Sequence, residues 1–103
     1  MDMSSTITFK EFAIFVQVGK ISDASMALSV ILDLDDDVAE QATQHFVKQL
    51  NADPNFMMKL MGLRSQLEVS NNAAMMTLIE CFNLNGANLI LALQAAKKIV
   101  EKN

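Results

Sequence analysis

The chain has 103 residues, room for one domain whose core buries about 65% of the unfolded surface with no disulfide or metal to hold it. It is 51% hydrophobic and 19% charged, with net charge −4, one His, one Cys, and neither Trp nor Tyr. This excludes a disulfide framework, leaves most enzyme classes without their reactive side chains, and offers no broad basic surface to nucleic acid.

The pattern of caps and apolar residues predicts an all-α fold, a single-domain compact bundle of about six short helices. Thr8 and Glu11 form a capping box, with Ile7 and Phe12 placed to staple across it. The first helix, about 8–18, stops at Gly19. Ser22 is the expected N-cap of a second helix, about 23–33, in which Ala24, Ala27, Leu28, Ile31 and Leu32 recur at helical spacing. The third, about 37–51, places Val38, Ala39, Ala42, Phe46 and Leu50 on one face and Glu40, Gln41, Gln44 and Lys48 largely on the other.

Asp53 before Pro54 reads as an N-cap followed by Pro at the first helical position. It opens a fourth helix, about 54–68, with Phe56, Leu60, Leu63 and Leu67 in a stripe. Ser70-Asn71-Asn72 either separates or only kinks a fifth helix, about 71–83. Asn83-Leu84-Asn85-Gly86 turns the chain into the sixth, about 86–101, whose late lysines suit the negative end of the helix dipole. Helices one and six, apolar on most sides, are the expected centre of the bundle or a dimer seam. No strand alternation, low-complexity segment or internal repeat stands out, and no apolar run approaches the ~18 residues of a membrane span.

Asp33, Asp35 and Asp37 match the first, third and fifth positions of a calcium loop. Val38 then stands where that loop needs Gly, and Gln44 where it needs a bidentate Glu. The acids instead fit the N-terminus of the third helix, where they offset the dipole. His45 and Cys81 have no companion motif, and Cys81 lies in an apolar helical stretch as a small buried hydrophobe. No phosphate loop, nucleophile elbow or paired-His motif occurs, so no catalytic residue, metal or cofactor is expected.

Residues 1–53 carry nine acids against three lysines, a net of −6, whereas 54–103 carry +2. Such asymmetry steers a basic partner or aligns two subunits. Met57, Met58, Met61, Met75 and Met76 are crowded onto helices four and five. Adjacent methionines point about 100° apart on a helix, so both members of a pair rarely face one core. Methionine also moulds to varied apolar partners.

These features predict a small non-enzymatic protein-interaction module, an adaptor, inhibitor or assembly factor, that self-associates as a homodimer. Met57, Met58, Met61, Met75 and Met76 would form the contact, and Asp35, Asp36 and Asp37 would steer approach. With no basic leader at its start and no span, the chain is expected in the cytoplasm. The alternative is a helical transcription regulator binding DNA as a dimer. Acids in the first turn of the third helix, the would-be reader, argue against direct nucleic-acid contact.

Overall fold

A computed structural model describes the backbone of residues 9–102 and the side chains of residues 9–98. Six helices follow one another: α1 (Phe9–Gln17), α2 (Ile21–Ile31), α3 (Asp36–Ala52), α4 (Phe56–Val69), α5 (Asn71–Phe82) and α6 (Gly86–Lys102), with no strand among the described residues. Every helix expected from the sequence is present, and each described boundary lies within two residues of its expected place.

The local chemistry of the ends is specific. Gly19, at φ 81°, closes α1: its N–H donates to the Val16 carbonyl and that of Lys20 to the Phe15 carbonyl, the paired bonds of a Schellman stop. Asp33 (φ 54°) and Asn83 (φ 55°) end α2 and α5 in the same left-handed conformation. Side-chain carboxylate and amide groups make that region tolerable. Asn83→Ala is therefore expected to cost about 1–2 kcal/mol and Asn83→Gly little, read as midpoints in urea; equal losses would show that another Asn83 contact matters.

Ser70 separates α4 from α5, its Oγ accepting from the Ala73 N–H at 3.3 Å. The break is thus a capped start and not a kink. Two caps differ from expectation. α2 begins at Ile21, with Lys20 rather than Ser22 at the N-cap position. Asp53 caps no helix: its Oδ1 accepts from the Asn55 N–H and its carbonyl from that of Phe56, making a turn that delays α4 by two residues. The Thr8 capping box and Ile7 staple fall outside the described residues.

An internal repeat, not visible as sequence identity, emerges in the burial pattern. From α2 to α6, buried residue n is matched by residue n+50: Ala24 and Ala74, Leu28 and Leu78, Ile31 and Cys81, Leu34 and Leu84, Ala42 and Ala92, Phe46 and Ala96. In α1 and α4 the offset is 51, pairing Phe12 with Leu63 and Val16 with Leu67, because Val16 and Ala24 are eight residues apart across the α1–α2 connection whereas Leu67 and Ala74 are seven apart across Ser70. The chain is two three-helix units, α1–α3 and α4–α6. Across their boundary α2 packs on α6, α5 packs on α3, and α1 meets α4. That reciprocity is what an approximate twofold relation requires.

The units share one core. At its centre the ring of Phe46 (α3) lies 5.4 Å from Phe12 (α1), 5.6 Å from Phe56 (α4) and 5.7 Å from Phe82 (α5). Helices α1 and α6 are not the centre: each buries one face and leaves Ile14, or Ile90 and Leu91, exposed.

Candidate docking surface

The methionine pairs split as helical geometry requires. Met57 and Met75 pack, partly buried, against the core; Met58, Met61 and Met76 are exposed, Met58 at 72%. Core packing accounts for the first two, so the surface role expected for all five narrows to three. Phe56, Leu60, Leu63 and Leu67 turn one side of α4 inward. The opposite side then carries Met58, Met61, Ser65 and Val69, all exposed, with Gly62 among them. At 100° per residue, Lys59 and Arg64 fall to the flanks, and Glu68, about 20° round from Met61, stands at the edge of this outer face, whose middle is uncharged. A glycine inside a helix costs about 1 kcal/mol relative to Ala, and a Cβ at Gly62 would meet nothing within 4 Å. No close approach among the described residues requires it.

Comparing the two units identifies a further stretch. The exposed side of α3 runs Asp37, Glu40, Gln41, Gln44; the equivalent positions on α6 are Ala87, Ile90, Leu91, Gln94, also exposed. The same fold therefore accepts a fully polar outer face, and α6 has an apolar one. Ile90 and Leu91 could be picked out as surface residues only once the α3–α6 equivalence was known, because the sixth helix reads as apolar nearly all round.

Asp35, Asp36 and Asp37 are exposed where α2 turns into α3. Asp35 is the N-cap residue but makes no side-chain cap; Asp36 and Asp37 occupy the first turn and oppose the dipole. Among the described residues, no three His, Cys, Asp or Glu side chains lie close enough to hold a metal ion.

His45 and Cys81 do not form a reactive pair. The His45 Nε2–H donates to the Glu80 backbone carbonyl at 3.1 Å, tying α3 to α5. The Glu80 carboxylate meets Lys59 Nζ at 3.7 Å, tying α5 to α4. Cys81 is fully buried, and its thiol is pushed up to about 12, first by burial and then by the Glu80 carboxylate, with Lys59 pulling weakly the other way. A thiol so held stays protonated at neutral pH and is no nucleophile there. Thr77 Oγ1 donates to Gln66 Oε1, so a second polar link joins α4 and α5.

A cleft of about 190 Å³ lies where α3 meets the α5–α6 turn, with Gln41, Asn83, Asn85 and Asn88 around a floor that includes Phe82 and Leu84. It is smaller than the ~300–1,000 Å³ of small-molecule sites. No single described helix is long and apolar enough to cross a membrane. The α5–α6 pair passes that test only when taken together, with a bend of 116° between its two helices. Compared with protein-family models, curated proteins and solved structures, the chain matches none.

Proposed function

We propose that the protein is a small, non-enzymatic interaction module that docks the apolar outer faces of α4, α5 and α6 onto a protein partner. The observation that carries this reading is the contrast between α3 and α6. At equivalent, exposed positions α3 has Asp37, Glu40 and Gln41, and α6 has Ala87, Ile90 and Leu91. The core demands apolar groups at neither place, so their presence on α6 calls for a contact outside the subunit. The outer face of α4 adds Met58 and Met61, side chains that adapt to a partner's relief. Asp35, Asp36 and Asp37, in the unit with the net negative charge, steer approach and add little to affinity.

A DNA-binding regulator gains no support from these surfaces. The first turns of α3 expose Asp36, Asp37 and Glu40, which repel phosphate. Lys97 donates to Asn71 Oδ1 at 3.2 Å.

The repeat supplies the test. Ile90→Glu with Leu91→Gln gives α6 the residues that α3 already carries at those positions. The double variant is expected to keep its helix content and to melt within about 4–8 °C of the parent, a difference of roughly 1 kcal/mol. It is expected to lose most of the partner that the parent retains from a host lysate. Equal retention by both proteins, or nothing retained by the parent above an unrelated helical control, would overturn the reading; a collapse in melting temperature would show Ile90 and Leu91 to be structural.

A further inference from the structure

The two units also show where exposed apolar residues recur at equivalent places. Met26 on α2 is 67% exposed, with Val30 one turn on at 62%; Met76 holds the equivalent position on α5 at 63%, with Ile79 beside it at 43%. Methionine stands at both positions although neither side chain contributes to the core.

The two faces differ in charge. Exposed Asp23 and Asp33 flank Met26 and Val30, and the equivalent residues on α5 are Ala73 and Asn83. The one acid beside Met76, Glu80, is neutralised by Lys59. At larger scale, the half of the chain containing α2 carries −6 and the half containing α5 carries +2.

We propose that the α2 face of one copy docks on the α5 face of a second copy, joining chains head to tail. This rests on reading the outward apolar residues as docking surfaces, and it names the chain itself as a partner. Pairing two α2 faces would crowd Asp23 and Asp33 of both copies around an apolar contact and bring two strongly negative halves together. Pairing two α5 faces would oppose two positive halves. Only α2 on α5 sets a negative half against a positive one while covering thioether and aliphatic groups on both sides. Such a contact joins two different surfaces. Each dimer therefore keeps one free α2 face and one free α5 face, and growth continues until a ring closes or dilution stops it.

Complementation tests this directly. The full chain, Met26→Glu and Met76→Glu are examined by sedimentation across a concentration series, with circular dichroism to follow helix content. The parent is expected to grow beyond a dimer with concentration and to associate less at high salt. Each variant alone is expected to associate roughly tenfold more weakly or worse, because a carboxylate must be buried in the contact. An equimolar mixture is expected to recover a dimer and nothing larger, since the intact α5 face of one variant meets the intact α2 face of the other.

If either glutamate unfolds the chain, Val30→Glu and Ile79→Ser serve instead; the other unit already holds Glu80 and Ser29 at those positions. Loss of association in one variant but not the other would establish a symmetric contact and overturn the proposal. So would a mixture that stays monomeric, or a parent that is monomeric at every concentration. That last result leaves docking on other proteins standing, because the Ile90 and Leu91 variant tests it separately.

Discussion

Phe46→Ala is expected to cost about 3–5 kcal/mol, a large share of the 5–15 kcal/mol that holds a domain together. The ring sits within 5.7 Å of Phe12, Phe56 and Phe82, so one deletion loosens four helices of both units at once. The repeat sharpens the expectation. The position equivalent to Phe46 is Ala96 on α6, already small and fully buried. With alanine at both sites, neither unit supplies a ring at this position. Urea denaturation followed by far-ultraviolet circular dichroism measures the loss. A cost below about 1.5 kcal/mol would mean that the surrounding rings collapse into the space, contrary to a core packed around Phe46.

Alkaline pH should destabilise the protein through Cys81. Burial and the Glu80 carboxylate raise the thiol from 9.0 to about 12 in the folded chain. Between those values the unfolded chain has released a proton that the native state still holds. Stability must then fall as pH rises through that window, and it is untouched by this group at lower pH. At 1.36 kcal/mol per unit, the loss amounts to a few kcal/mol by the top of the window. Cys81→Ala removes the linkage. Its stability is lower at neutral pH, because a small cavity replaces the sulfur, but its decline above pH 9 should be shallower than the parent's. Parallel curves for the two proteins would show that the native thiol ionises as freely as the unfolded one.

The methionine pairs show what helical geometry reveals in advance. Their spacing said that one member of Met57-Met58 and one of Met75-Met76 would face outward. Which member did so depended on where the core lies. On α4 the line through Phe56, Leu60, Leu63 and Leu67 turns Met58 out; on α5 the line through Ala74, Leu78 and Cys81 turns Met76 out. The Asp cluster lies at the N-terminus of α3, where its spacing ahead of an apolar face places it. The N-cap expected at Asp53 failed because the side chain bonds its own turn, a local competitor for the same donors.

The repeat escaped notice in the sequence for a specific reason. Core residues are exchanged for volume between units: Phe46 for Ala96, Leu32 for Phe82, Thr43 for Leu93. A shared core fixes the summed volume across the pseudo-twofold relation and leaves each member of a pair free to drift. The longer α1–α2 connection adds a one-residue slip. Identity therefore decays while the alternation of inward and outward positions persists.

The sequence by itself determined the helices, their approximate ends and the shortage of reactive chemistry, because capping, apolar spacing and composition are properties of neighbouring residues. Tertiary structure alone decided that six helices form two equivalent units, that Phe46 is the centre, and that Met26, Met76, Ile90 and Leu91 face outward. Those facts depend on which surfaces meet across the chain, and a helix of 3.6 residues per turn offers several apolar sides until its neighbours choose one.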